Sequence, residues 1–315
     1  MKALIIGLAA LPALPAMVFA GESIDKELSV PANGKVVIEN QRGDVTIKTW
    51  DKDVFKVTGE LDDKAEGYKL ETSGEVTEFI VKMPRRYKSW GGGDGSKLTI
   101  YMPRSSELNF EGVVVDVEAA DLTAGARIKT VNGNIKASKI SGKIALETVN
   151  GDIDSRDLDG NIQFETVNGD IEDIASSGKL RFNAVNGEIK TQTTATELRL
   201  ENVNGEVELK MAELKDLRLS TVNGEIAVYA VKLLDNANIN MDSVSGDIEL
   251  YFPADVSARF EINAHSGGHI TNELSSDQVK KAKYGPARSL EFVLNGGNAD
   301  VEIDTVSGNI EIKRN

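Results

Sequence analysis

The sequence reads Thr-Val-Asn-Gly-Asn-Ile at residues 130–135, then Thr-Val-Asn-Gly-Asp-Ile at 148–153 and again at 166–171. Ala-Val-Asn-Gly-Glu-Ile follows at 184–189, Asn-Val-Asn-Gly-Glu-Val at 202–207 and Thr-Val-Asn-Gly-Glu-Ile at 221–226. Gly133, Gly151, Gly169, Gly187 and Gly205 follow one another at a constant interval of 18. Self-similarity at a fixed short period is the signature of a solenoid. A finer period lies inside it, because Gly142, Gly160 and Gly178 fall midway between the Asn-Gly glycines. One apolar phase holds Val131, Ile140, Val149, Leu158, Val167 and Val185, and a second holds Ile135, Ile144, Ile153, Ile162, Ile171, Leu180, Ile189, Leu198 and Val207. Apolar and polar residues alternate in stretches such as Ile144-Ala145-Leu146-Glu147, which is strand periodicity with one face buried.

A nine-residue unit is too short for a strand plus a crossover helix. The economical solution is a coil of two short strands and two turns, one coil per 18-residue repeat, with successive coils stacked in parallel at ~4.8 Å. Asn-Gly tolerates the positive φ that a sharp corner requires. It is also a hairpin signal, so an antiparallel meander is the competing reading. The midway corners, such as Leu158-Asp159-Gly160, lack Asn, and one side-chain type recurs at the full interval between Asn-Gly units. Both observations favour the solenoid. The predicted fold is therefore all-β, a single elongated parallel β-solenoid. Stacking makes ladders: Asn132, Asn150, Asn168, Asn186, Asn204 and Asn223 are expected to bond amide to amide along the axis. Thr130, Thr148, Thr166 and Thr221 form a partial second ladder, and Leu146, Phe164, Phe182, Leu200 and Leu219 an interior stack.

Residues 1–20, Met-Lys followed by an apolar run ending Val18-Phe19-Ala20, read as a secretory signal peptide. Pro12 and Pro15 interrupt the run, and no other stretch approaches the ~18 apolar residues of a membrane span. The mature chain, 21–315, reads as one solenoid domain: irregular N-terminal coils and a cap at 21–110, regular repeats at 111–250, and looser coils at 251–315. The interval lengthens after Gly205, to 19 at Gly224 and then to 22 at Gly246. Asp304-Thr305-Val306-Ser307-Gly308-Asn309-Ile310 restores the motif for a last coil. There is no cysteine, which excludes disulfides, thiol catalysis and cysteine-ligated zinc. A net charge of −14 disfavours nucleic acid and anionic lipid as partners.

The leader, Gly43-Asp44-Val45-Thr46-Ile47 followed by Trp50-Asp51, the strand Leu98-Thr99-Ile100-Tyr101-Met102-Pro103 and the train of Thr-Val-Asn-Gly-Asp-Ile units together resemble the bacterial putative-adhesin family. That family is a β-solenoid domain of unknown function. The resemblance covers nearly all of the mature chain. It implies an exported cell-envelope protein, periplasmic or at the surface, and brings no residue-level active site.

Three features could carry chemistry. Asn134, Asp152, Asp170, Glu188, Glu206, Glu225 and Asp247 form an acidic column. Carboxylates ~5 Å apart repel by around 1 kcal/mol in water, which calcium would relieve, although the nonapeptide calcium signature does not recur. A solvated edge helped by Lys136 and Lys190 is the simpler reading. His265 and His269 flank Gly267-Gly268 with no third ligand in view, so no metal site is expected. Arg85, Arg86, Tyr87, Lys88 and Trp90 concentrate cations and aromatic rings in the loop 84–96, a candidate binding loop for an anionic glycan, a headgroup or a protein. Enzyme signatures are absent: no Gly-x-Ser-x-Gly elbow and no phosphate-binding loop occurs.

The expectation is a non-catalytic scaffold or adhesin-like surface with no cofactor, partnered by cell-envelope glycan or protein. The alternatives are a carbohydrate-active β-helix enzyme and an accessory sensor of envelope stress.

Overall fold

In a computed structural model covering residues 21–84 and 93–315, the repeat winds into stacked rungs. The strands Ser141–Glu147, Asp159–Asn168, Ser177–Asn186 and Glu197–Asn204 pair in parallel with Gly142 on Gly160, Leu146 on Phe164 and Phe182 on Leu200. They form the longer wall. Ile153–Arg156, Ile171–Ile174, Ile189–Thr193 and Val207–Met211 form the shorter wall in the same way, Ile153 on Ile171 and Ile189 on Val207. The chain is an all-β parallel solenoid of 18-residue rungs.

Between the walls lies a narrow core. Leu146, Phe164, Phe182, Leu200 and Leu219 stack in one buried column, with the rings of Phe164 and Phe182 4.7 Å apart and nearly parallel. Opposite them stand Ile135, Ile153, Ile171, Ile189, Val207 and Ile226. Burying one such aliphatic chain contributes about 1.5–3 kcal/mol, so a rung is held by a handful of side chains and a full set of inter-rung backbone bonds.

The glycines are required by the closeness of the rungs. A Cβ built on Gly169 would stand 1.9 Å from the carbonyl oxygen of Gly151, and one on Gly160 2.1 Å from that of Gly142. The midway corner, to which Gly160 belongs, adds another device. Asp121, Lys139, Asp157 and Ala175, again 18 apart, adopt left-handed φ of 52° to 62°. The two corner types that the sequence distinguishes are therefore real, and the midway one combines a left-handed non-glycine residue with a positive-φ glycine, as Asp157 with Gly160.

Both ends depart from sequential stacking. The long strand Lys35–Trp50 lies directly on Glu107–Ala120, contributing to both walls. The intervening chain forms the outer N-terminal rung: Val76–Val81 and Ser96–Pro103 pair parallel to it, and Tyr68–Ser73, Val54–Glu60 and Ser23–Ser29 close the edges antiparallel. The C-terminal end repeats the plan. Asp300–Ser307 inserts between Leu233–Ser245 and Ala258–Ala264, and Ile310–Arg314 between Ile248–Phe252 and Ile270–Asn272. The motif expected to close the chain as a last coil thus forms the penultimate rung, and the outer one is built from Ala258–Ala264 and Ile270–Asn272. Arg288–Leu294 then covers that outer rung antiparallel. The reason is edge protection: a bare parallel rung exposes unpaired backbone, and an antiparallel strand covers it.

Candidate functional site

The wall surface is built by alternation. Ile144, Leu146 and Thr148 point inward, so Ala145, Glu147 and Val149 point outward. The valine of each Thr-Val-Asn-Gly unit is therefore a surface residue and the threonine a core residue. Thr148 is buried and its Oγ1 donates to the carbonyl of Gly133 at 3.1 Å, and Thr130 does the same to Val115 at 3.2 Å. Val167, Val185, Val203, Val222, Val244 and Val306 stand 37–47% exposed in one file down the rod. Grouping these valines with Ile140 and Leu158, which are buried, merged two faces.

Beside the valine file runs a column of Glu147, Glu165, Asn183 and Glu201, and beyond it Arg181, Arg199 and Arg218. The polar column and Arg199 frame an open groove of about 790 Å3, floored by Val149, Val167, Val185 and Val203 and stretching from Lys129 to Ser220.

The asparagines edge this face. Asn150 Nδ2 donates to Asn132 Oδ1 at 2.8 Å, and Asn168, Asn186, Asn204 and Asn223 continue the chain of amide–amide hydrogen bonds at 2.9–3.2 Å. In the acidic column, short side chains accept the backbone N–H of the next rung: Asp152 to Asn134 Oδ1, Asp170 to Asp152 Oδ1, and Glu188 to Asp170 Oδ1, at 2.7–2.9 Å. Those oxygens are thereby committed to the backbone. Glu188, longer by a methylene, turns to Lys190 instead. Among the described residues no group of three or more His, Cys, Asp or Glu could hold a metal ion. His265 Nε2 lies 3.2 Å from Asp304 Oδ1, while His269 uses its backbone N–H on Asn309. The proposed binding loop, Arg85, Arg86, Tyr87, Lys88 and Trp90, lies outside the described residues, as does the leader at 1–20.

On the shorter wall the rings of Tyr229 and Tyr251 stack 4.4 Å apart, capped by Lys210 at 5.7 Å and Lys313 at 5.5 Å. The Tyr251 hydroxyl donates to Glu249 at 2.6 Å, and that carboxylate pushes the phenol up to about 12. This column escaped the sequence reading because the two tyrosines stand further apart than the regular interval, after the period has drifted.

One carboxylate is inside. Asp173 is fully buried and accepts from Ser155 Oγ at 2.6 Å, Ser176 Oγ at 2.5 Å and Thr191 Oγ1 at 2.9 Å. Burial raises its pKa above the ordinary value against these three hydroxyls. Its side chain is sealed from solvent. Among the described residues no helix is long and apolar enough to cross a membrane.

No curated protein matches the chain. Three crystal structures are similar at low identity. A putative lipid binding protein from Parabacteroides distasonis shares 14% identity over 94% of this chain and 97% of its own, with a TM-score of 0.41. A putative adhesin from Bacteroides fragilis shares 12% over 93% and 97%, with a TM-score of 0.38. A putative cell adhesion protein from Clostridium sporogenes shares 12% over 93% and 100%, with a TM-score of 0.27. Residues 33–313 match the Toastrack DUF4097 family, and the chain belongs to that family.

Proposed function

We propose that this protein is an exported cell-envelope scaffold that works by adhesin-like binding along the outer face of its longer wall and performs no catalysis. The observation that carries the reading is the groove at 129–220, where a surface valine recurs on each rung beside the polar column Glu147, Glu165, Asn183 and Glu201. Recurrence favours an elongated ligand lying along the axis. Catalysis calls for the opposite, a few groups converging on one atom. The acids of this face lie in columns and are paired with arginines, Glu201 with Arg199 along one strand and Glu147 with Arg127 across neighbouring strands. An envelope glycan or an envelope protein meets these requirements.

The test is retention of the purified mature chain on an isolated envelope fraction, with release of polysaccharide reducing ends measured in parallel. A Val149→Lys/Val167→Lys variant places cations in the groove without touching the core. Retention should fall by about tenfold, with an unchanged melting temperature and no reducing ends released. Full retention by the variant, or depolymerisation by the wild-type protein, contradicts the reading.

A further inference from the structure

The arginine column of the longer wall has a counterpart that only the folded order of rungs reveals. Reading outward along one column, the register places Arg181, Arg199, Arg218, Asn240, Glu302, Glu261 and Glu291 one above another. All six charged members are exposed. Three cations, one amide and three anions thus occupy seven successive strands, although the acids come from three separate stretches of sequence. The column reads the same in both directions once the sign of each charge is reversed.

Such a column is unfavourable within one molecule. Like charges directly opposite on neighbouring strands destabilise a sheet, at around 1 kcal/mol for each pair ~5 Å apart in water. Local pairing relieves only part of this. Arg199 bonds Glu201, Arg218 lies 3.7 Å from Asp216, and Arg181 and Glu261 have no partner among the described residues.

We infer that this face is the interface of an antiparallel dimer of the chain. Laying a second copy on the wall, related by a two-fold axis that runs along the strand at Asn240, inverts the column. Arg218 then faces Glu302 of the second copy, Arg199 faces Glu261, and Arg181 faces Glu291. The two-fold repeats each pair. Neighbouring columns agree with this register. Glu197 comes opposite Arg259, two strands to either side of Asn238. Glu165 comes opposite Lys280, four strands to either side of Asp242. In the exposed valine file, Val222 meets Val306 and Val244 meets its own copy. Two contacts oppose: Asp216 meets Asp300, and Asp242 meets itself on the axis. Asp216 has Arg218 beside it to screen the first.

An isologous contact of this kind is closed and makes a dimer, with no growth into a filament. Six strand spacings by some six residues give a patch of about 30 Å by 20 Å, close to the ~800 Å2 per partner of a standard interface. The N-terminal part of the groove, around Val131 and Val149, lies beyond the overlap in each copy. Two rods joined this way present two such surfaces at opposite ends, and bivalent attachment strengthens binding without new contacts. The pairing does not depend on the identity of the envelope ligand.

The experiment is sedimentation equilibrium of the mature chain with two charge-reversed variants, R181E/R199E/R218E and E261R/E291R/E302R. Wild type should dimerise at micromolar concentration in ~0.15 M salt and dissociate near ~1 M salt. Each variant alone should bind itself at least about 100-fold more weakly. An equimolar mixture should form the heterodimer, because reversed cations then face reversed anions. Single variants R199Q and E261Q, too mild to disturb folding, should each weaken dimerisation by about tenfold.

A wild-type chain that stays monomeric at ~100 µM overturns the proposal, as does a mixture that fails to associate when both variants melt like wild type. If the arginine variant instead loses only binding to an acidic oligosaccharide such as oligogalacturonate, the column is a polyanion site and the dimer is wrong. Persistence of envelope retention in a monomeric chain removes this inference alone. A wild-type dimer that is not retained on the envelope fraction removes the functional reading alone.

Discussion

Gly205 shows at the smallest scale why the repeat is written as it is. Its φ is +132°, and a Cβ would lie 2.0 Å from the carbonyl oxygen of Gly187. Backbone on the neighbouring rung cannot yield as a flexible side chain would. Gly205→Ala should therefore cost about 2 kcal/mol or more in urea unfolding. Gly74→Ala, at a left-handed position with open space around it, should cost only about 1 kcal/mol. Asp173 is the other informative residue. Its pKa is raised by burial, so the neutral acid suits the fold. The stability it contributes is complete below the unfolded carboxylate value of about 4 and is lost as pH rises through the higher folded value. Asp173→Asn should consequently melt close to wild type at about pH 3 and above it at about pH 7. An unchanged difference between the two conditions would show that the three hydroxyls compensate the charge in full. The constant interval made the ladder asparagines and the Phe164 stack legible in the sequence. Asp173 was not legible, because it sits in a column shared with Ser155 and Thr191 and reads as one more polar outward residue.

At the scale of elements, one rung is a repeat and the two ends are a different construction. The 18-residue register, the two corner kinds and the inward leucine and phenylalanine column follow from spacing alone. The threading of the ends does not. Asp300–Ser307 carries the same Thr-Val-Ser-Gly motif as the regular rungs, so nothing local says that it slips between two earlier strands. Long-range pairing decides that, and the reward is an outer rung whose edge is closed by an antiparallel partner. The exposed valine file was misgrouped for a local reason, since a nine-residue period overlays the outward Val149 on the inward Leu158. Removing residues 21–33 would uncover the edge of Val54–Glu60, now paired with Ser23–Ser29. Light scattering should then show association beyond a dimer that increases with concentration. A truncated chain with wild-type assembly would remove the capping argument.

For the whole molecule, the account rests on in-register stacking. The columns that frame the groove, the amide ladder and the palindromic charge file exist only if rung follows rung at constant spacing. The excess of negative charge, −14 over the chain, says little about where ligands bind, because columns of either sign are separated by distances comparable to the screening length of ~8 Å. The absence of cysteine lets labels be introduced one pair at a time. On the shorter wall, Lys136, Asp154, Glu172, Lys190, Glu208, Ala227 and Glu249 form a single outward column. Spin labels at Lys136 paired in turn with Glu208, Ala227 and Glu249, diluted into unlabelled protein, read the stack directly by pulsed dipolar spectroscopy. The distances should lengthen in equal steps, to about 19, 24 and 29 Å, one strand spacing per rung. Distances that fail to increase, or that alternate between short and long as an antiparallel meander would give, contradict it.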